Sequence, residues 1–150
     1  MADQNTTIFP ERHVEYAGFW ERFFAAFLDG ILLSIISYGL TFAVTGSFFA
    51  DSLISIPTVI NILVYWLYDA FQESSSAQAT LGKRALNLKV TNLEIGRISF
   101  GQATVRHFAK YLSFLILLIG YLMMLWDSKK QTLHDKTAGT LVSRQENQAS

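Results

Sequence analysis

The sequence predicts a small α-helical integral membrane protein with two transmembrane helices, a third short membrane segment and a small cytoplasmic β-hairpin or sheet. Three observations favour this fold class. Hydrophobic residues make up 51% of the 150 residues and charged residues only 16%. The mean hydropathy is positive, at +0.27. One long apolar run, residues 23–45, contains a single charge. At this length the chain forms one domain at most.

The first predicted span is the run 23–45, and its one charged residue is Asp29. At about 1.5 Å per residue, a helix of this length crosses a hydrocarbon core of roughly 30 Å. Asp29 then falls near mid-membrane, where a carboxylate costs on the order of 3 kcal/mol, and this marks it as a candidate functional residue. Arg22 shares its face but lies about 10 Å away along the axis. We therefore expect Asp29 to have another partner, a bridging water or a proton.

Polar tails are predicted on both sides of a membrane domain that covers residues 18–144. The N-terminal tail, 1–17, lacks apolar periodicity, and residues 145–150 form the second tail. Mixed charges and the length of the following apolar run argue against a secretory signal peptide. The chain contains no cysteine, which excludes disulfides and thiolate chemistry.

The second predicted span covers residues 54–71. Pro57 is tolerated in its first turn, where a missing N–H matters least. Asn61 and Asp69 lie on one face of this helix as secondary polar residues of the membrane segment. Asp69 sits in an aromatic belt, so we interpret it as an interfacial acid that reaches water.

A β-hairpin is predicted over residues 86–100. Leu86, Leu88 and Val90 alternate with polar residues, a turn follows at 94–96, and alternation resumes at 97–100. Two strands alone are marginally stable in water. The hairpin therefore needs the membrane surface, the helices or a third strand, which residues 140–143 could supply.

Basic residues around the hairpin are candidates for binding lipid headgroups. Lys83 and Arg84 follow Gly82 as a basic pair, while Arg106 and Lys110 lie on the polar side of a predicted amphipathic helix, 102–110. Attraction to anionic lipid follows from such clusters at the membrane surface.

The third apolar run, 111–126, is short for a full crossing. A straight crossing would divide the 12 Lys and Arg residues 8:4 across the membrane, whereas a turn near Gly120 would leave all 12 on one side. The positive-inside rule favours the second, re-entrant arrangement. Such a segment must pack on the first two spans to satisfy its backbone.

The segment 132–140 has two interpretations. As local structure, Thr132 caps a short helix, Asp135 three residues later completes a capping box, and Gly139 ends it. As a functional site, His134 and Asp135 form a titratable pair that passes protons or binds Arg22. No catalytic or metal-binding motif accompanies them, so we expect no enzyme, no metal and no cofactor.

Together these motifs resemble the RDD family of small membrane proteins. The resemblance covers roughly residues 17–143 and rests on segments 19–22, 79–84, 88–90 and 133–140, with Asp29 and Arg106. The family is named for one Arg and two Asp, which correspond here to Arg22, Asp29 and Asp135. Glu21 replaces the basic residue that often follows the tryptophan. The resemblance implies a role in transport, such as cation/proton exchange.

Two functional hypotheses follow. In the first, Asp29 takes up and releases a proton or cation while Arg22 tunes its pKa; two spans cannot enclose a route, so transport requires a homo-oligomer or a partner membrane protein. In the second, Asp29 is a hydrogen-bond anchor in a scaffold whose basic face recruits lipid or protein. We expect a multi-pass protein of the inner (plasma) membrane, with its N-terminus and basic loop cytoplasmic and no nucleic-acid partner.

Overall fold

Two long helices and a layer of short elements make up the fold. The structure is a computed structural model that describes residues 14–48, 55–115 and 119–145. The elements in chain order are α1 (Phe19–Thr45), α2 (Ile56–Ser74), α3 (Leu81–Ala85), β1 (Leu88–Asn92), α4 (Phe100–Leu115), α5 (Ile119–Leu122), a 3₁₀ turn (Met123–Leu125), α6 (Leu133–Ala138) and β2 (Thr140–Arg144). The short elements pack around the start of α1 and the end of α2.

Helix α1 is the one described helix that is long and apolar enough to cross a membrane. Its 27 residues start after Gly18, whose backbone N–H donates to the Glu21 carboxylate. The helix ends at Gly46, which adopts the left-handed conformation with φ 71°. Large apolar side chains such as Phe27 and Ile35 point outward and are exposed. A helix that exposes apolar side chains along its length is suited to lipid.

Helix α2 begins at Ile56, two residues after the predicted start, with Ser55 as N-cap; Pro57 lies in the first turn, as predicted. It packs against α1, and its final turns carry Asp69 and Glu73, which face other protein elements. These charges lower the mean hydropathy of α2, so that among the described helices only α1 is long and apolar enough to cross a membrane. The second span therefore stays a prediction.

The prediction of a β-hairpin over residues 86–100 is wrong. Strand β1 instead pairs antiparallel with β2, and Val90 lies opposite Val142. The turn near 94–96 is present, but α4 begins at Phe100. Ser99 and Gln102 each accept the other's backbone N–H, at 3.1 and 3.0 Å, in the pattern of a capping box. The S-x-x-Q sequence thus starts a helix where alternation indicated a strand. The prediction that residues 140–143 supply a strand is confirmed.

The polar tail ends earlier than the predicted boundary at residue 17. Tyr16 bridges Ser143, and the buried Ala17 donates its N–H to the Val142 carbonyl at 3.0 Å. On the same edge, the backbone N–H of Arg144 donates to the Glu15 carbonyl at 2.9 Å. Strand β2 therefore lies between β1 and the chain that enters α1. The rest of the tail, 1–13, and residues 146–150 lie outside the described residues.

The described parts of the third apolar run pack against each other, because α5 lies on α4; the re-entrant placement of the run in the membrane stays a prediction. Helix α4 continues from the predicted amphipathic segment to Leu115, and α5 then returns along it. A Cβ added to Gly120 would lie 2.9 Å from the Ser113 Cβ, which shows how closely the two segments approach. The pairing of β2 with β1 also requires this reversal. Residues 116–118 of the run lie outside the described residues.

We predict that cysteines introduced at Val90 and Val142 form a disulfide. The N–H of Val90 points away from β2, toward the Gln78 carbonyl, so the pair is non-hydrogen-bonded, the type with the closer side chains. The chain has no cysteine of its own to interfere. Non-reducing electrophoresis with proteolytic mapping measures the bond. Cysteines at Val90 and Ser99, which a hairpin would bring together, serve as the comparison; a bond there and none at 90/142 would contradict this sheet.

Candidate functional site

The Asp29 carboxylate is buried and accepts three hydrogen bonds. The Tyr68 hydroxyl and the Gly82 N–H donate to Oδ1, at 2.6 and 2.8 Å, and the Thr80 hydroxyl donates to Oδ2 at 2.5 Å. Only 8% of the residue is exposed. The three donors are neutral groups, and no cation among the described residues contacts the carboxylate. Hydrogen bonds to an ionised acceptor are strong, so these groups replace water around the acid.

Gly82 allows α3 to reach Asp29. A Cβ at this position would collide with the Ala25 carbonyl oxygen and lie 2.8 Å from the Asp29 Cγ. The Tyr68 hydroxyl also accepts the Leu81 N–H at 3.3 Å, so the first turn of α3 contacts both long helices. Glycine is required here for close approach of one backbone to another.

Asp135 joins α6 to two arginines from different helices. Arg22 Nη1 lies 2.5 Å from Oδ2, and Arg106 Nη1 lies 2.5 Å from Oδ1. The predicted pairing of Arg22 with this motif is confirmed. The local interpretation is confirmed as well, because the Thr132 N–H donates to Oδ2 at 3.1 Å and Gly139 ends the helix with φ 62°. Burial alone would raise the pKa of Asp135, but the guanidinium groups of Arg106 and Arg22 hold it well below its usual range.

Glu73 continues the network on the other side of Arg106. Arg106 Nε lies 3.2 Å from Glu73 Oε2, and Lys83 forms an ion pair with the same carboxylate. Lys110 Nζ lies 4.0 Å from it and 2.6 Å from Asp69 Oδ2. The network therefore links α2 to α3 and α4 through charge pairs, several of them buried.

The lipid-headgroup assignment is wrong for Arg106, which is only 2% exposed. Lys83 and Lys110 also direct their charges into the protein, and only Arg84 of the four candidates is exposed. Asp69 keeps 15% of its side chain exposed, and its Oδ2 is also bound by Lys110 and by His107 Nδ1, at 2.8 Å. The charged side of α4 faces inward because α2 carries acids opposite it.

The sequence analysis does not identify Glu73, and it does not predict that Thr80 and Tyr68 contact Asp29. A signal for Glu73 was present: Asp69 and Glu73 lie four residues apart on α2, and Arg106 and Lys110 lie four residues apart on α4. Side chains at this spacing share a helix face. Two helices with such complementary pairs can dock through them. The donors to Asp29 had no comparable signal, since a hydroxyl gives no charge to match.

His134 is buried beside this network and is uncharged at neutral pH. Its Nε2 lies 3.0 Å from the Thr132 hydroxyl, its Nδ1 lies 3.5 Å from the Ser113 hydroxyl, and its ring packs against Tyr121. Burial lowers the pKa of His134 to about 3, and nearby Asp135 only partly opposes this. A group with this pKa does not exchange protons near pH 7.

Asn61 forms a separate polar contact between the long helices. Its Nδ2 donates to the Thr41 hydroxyl at 3.3 Å, and its Oδ1 is buried with no hydrogen-bond partner among the described residues. The structure does not bring Asn61 together with the charge network. No group of three or more His, Asp or Glu side chains suited to hold a metal occurs in the described ranges.

Comparisons with known proteins give the following relatives. The chain matches the RDD family over residues 16–139. The Bacillus subtilis (strain 168) protein named "Uncharacterized protein YxaI" is 37% identical, over 84% of this chain and 95% of its own length. A "Proline-rich antigen homolog" of Mycobacterium tuberculosis (strain H37Rv) is 32% identical over 59% of this chain. This chain spans only 41% of that relative's length. No solved structure matches.

We expect Gly82→Ala to destabilise the protein by about 2 kcal/mol, because overpacking at a close backbone approach forces α3 away from Asp29. Gly101→Ala in the first turn of α4 adds the same methyl group at an ordinary contact distance, 3.8 Å from the Ser99 Oγ, and we expect it to be neutral or slightly stabilising. Thermal unfolding in detergent, followed by tryptophan fluorescence, measures both. Equal midpoints for the two variants would contradict the close contact at Gly82.

We also predict that the free energy of unfolding depends on pH through His134. The pKa of His134 is about 3 in the folded protein and 6.5 as its ordinary value. Between these values the unfolded chain binds a proton that the folded protein does not. The free energy of unfolding therefore falls as pH is lowered from about 6.5, by roughly 1 kcal/mol per pH unit. The lowered pKa of Asp135 adds its own loss only as pH falls below about 4.

The comparison of His134→Gln with the parent chain, by thermal unfolding between about pH 6.5 and 4.5, isolates this contribution. We expect a shallower pH dependence in the variant, whatever its stability at pH 7. An unchanged slope would show that His134 titrates near its ordinary value.

Proposed function

The chain belongs to the RDD family of membrane proteins, and we propose that it is a non-transporting membrane scaffold that assembles with a second copy or a partner membrane protein. In this proposal the long helices hold the protein in the bilayer. The layer, which consists of α3 to α6 with β1 and β2, is held against these helices as a fixed surface. In this proposal the protein is not an enzyme.

The observation that carries the proposal is the mutual pairing of the buried charges. Asp135 is bound by two arginines, and Glu73 is surrounded by Arg106, Lys83 and Lys110. Removing one member of such a pair leaves a buried charge without compensation, which costs several kcal/mol. These groups therefore fix the relative positions of the helices that carry them. A proton carrier needs a group that changes its charge state, and a cation carrier needs an acid that is free to bind the cation; carboxylates already paired with Arg or Lys side chains are suited to neither.

Asp29 fits the same role. Three donors from α2, α3 and the residue before α3 occupy its two oxygens. A carboxylate held in this way joins elements that would otherwise expose polar groups to an apolar environment. We interpret it as the hydrogen-bond anchor between the first helix and the layer.

An assembly surface is available on the outward face of α1. Gly30 has no atom within 4 Å of an added Cβ, so its backbone is open to a neighbouring helix. Helices in lipid associate through close packing at small residues. Exposed Phe27 lies three residues before Gly30 on the same side of α1 and would contact lipid or a partner.

We propose that the layer lies on the cytoplasmic side of the inner membrane, with α1 and α2 as spans of a multi-pass protein. Lys and Arg residues of the layer lie on one side of the fold, since β1 and β2 pair and Arg22 reaches Asp135. The positive-inside rule then supports a cytoplasmic N-terminus and basic loop.

Transport of a small ion or solute, such as cation/proton exchange, is the second candidate. It is favoured by the charge of Asp29, which has only neutral partners among the described residues, and by the unpaired Asn61 oxygen in the same helix pair. An acid without a paired cation can take up a proton or cation. Such a route would require an oligomer, because α1 and α2 alone cannot enclose it.

Asp29→Asn separates the two functions. An amide places an N–H₂ group against donors, so we expect a destabilised protein and loss of assembly, measured by thermal unfolding and by size-exclusion chromatography with light scattering. We also expect no flux of protons or cations through parent proteoliposomes above protein-free vesicles. Glu94→Gln, at an exposed acid in the turn after β1, is the matched control and should behave as the parent. Parent flux that disappears in an intact, assembled Asp29→Asn protein would refute the scaffold and support transport.

A further inference from the structure

We propose that a groove at the start of α1 binds one anionic phospholipid. The groove has a volume of about 460 Å³, within the range of roughly 300–1,000 Å³ that is usual for pockets of small ligands. It lies between the first turn of α1 and the 3₁₀ turn, and its walls include Phe19, Trp20, Leu122, Met124 and Leu125, with Lys130 at the polar side. This site is separate from the α1 assembly face and does not depend on the proposed scaffold.

The apolar walls fit an acyl chain. Trp20 is 66% exposed and Leu125 is 60% exposed, so two large side chains stand open beside the groove. Trp20 lies in the first turn of the one described helix that is suited to cross a membrane. Tryptophan at such a position favours the boundary between headgroups and hydrocarbon. A lipid at this boundary can cover the open walls while its headgroup stays in water.

The charge at the groove fits a phosphate. Asp127, which also lines it, is paired with Lys136 at 2.6 Å. The nearby Glu21 shares Arg144 with Glu15, with Arg144 Nη2 2.6 Å from Glu21 Oε1 and Nη1 2.5 Å from Glu15 Oε1. Among the described residues, Lys130 is the one cation that lines the groove, and no acid lies within ion-pair distance of its ammonium group. That ammonium group is therefore available to a phosphate.

The turn that carries Lys130 is held in place by hydrogen bonds. The Lys130 N–H donates to the Asp127 carbonyl at 3.0 Å, and the Gln131 N–H donates to the Asp127 carboxylate at 3.0 Å. The Lys130 carbonyl accepts a hydrogen bond from Arg22 Nη2 at 2.7 Å. Lys130 itself adopts φ 47°, which is uncommon for a residue with a side chain. The backbone that positions this ammonium group is therefore fixed by the same arginine that binds Asp135.

The experiment measures lipid binding to the delipidated protein in detergent. Phosphatidylglycerol and phosphatidylcholine of the same acyl chains are titrated, with tryptophan fluorescence and native mass spectrometry as readouts. We expect one phosphatidylglycerol per protein, bound at least fivefold more tightly than phosphatidylcholine. Inorganic phosphate and glycerol 3-phosphate, titrated alone, should bind more weakly than the lipid because they lack the acyl chain.

The variants separate the charge from the apolar wall. Lys130→Gln should weaken phosphatidylglycerol binding about fivefold, as expected for one lysine near anionic lipid, and Lys130→Arg should restore it. Leu125→Ser should weaken both lipids. Lys89→Gln removes a positive charge from β1 that does not line the groove and should leave binding unchanged. The Lys130 and Leu125 side chains are exposed, and lipid-free melting curves check that each variant folds.

Three results would overturn the proposal. Equal affinity for the two lipids would remove the role of charge. Inorganic phosphate that binds as tightly as the lipid would identify a phosphate site instead. Equal binding by the parent, Lys130→Gln and Leu125→Ser proteins would place the lipid elsewhere on the surface.

Discussion

The arrangement of the short elements depends on one buried cation, Arg106, held between two acids. Its guanidinium contacts Glu73 of α2 on one side and Asp135 of α6 on the other. A guanidinium in a site of low polarity is stable only when acids neutralise it in good geometry. Burial lowers the pKa of Arg106, but Asp135 and Glu73 outweigh that effect and raise it, so the group stays charged. Every element that supplies one of these acids is then fixed relative to α4.

The two aspartates of the family signature have different surroundings in this chain. Asp135 is neutralised by cations from α1 and α4. Asp29 has no cation beside it in the described ranges and is solvated by hydroxyls and one backbone N–H. Ion pairs define direction and distance between helices. Hydrogen bonds to a backbone require that the chain come close, which Gly82 permits. Together these two kinds of contact hold the layer to α1 at two points along its length.

The sequence predicts the secondary-structure elements better than it predicts which elements contact each other. The first helix and the cap of α6 are accessible, because apolar length and capping pattern are local properties. The pairing of Arg22 with Asp135 is a contact across 113 positions, and the sequence offers it only as one of the alternatives for this segment. The hairpin is wrongly predicted, because alternation over 97–100 is equally the start of a helix capped by Ser99. The inward side of α4 was missed for a different reason. Periodicity separates a polar face from an apolar one, but the acids on α2 decide that the polar face is the buried one, and this is a property of the pair of helices.

The central place of β2 in the small sheet has a consequence for biosynthesis. Asp135 follows its partner Arg22 by 113 positions, and β2 follows even later. At translation rates of about 5–20 residues per second, the first helix emerges roughly 6 to 23 seconds before the acid that neutralises its arginine. During that interval Arg22 remains without its acid partner Asp135, next to the apolar helix α1. The order of synthesis therefore leaves the fold incomplete until β2 has been made, as far as Arg144.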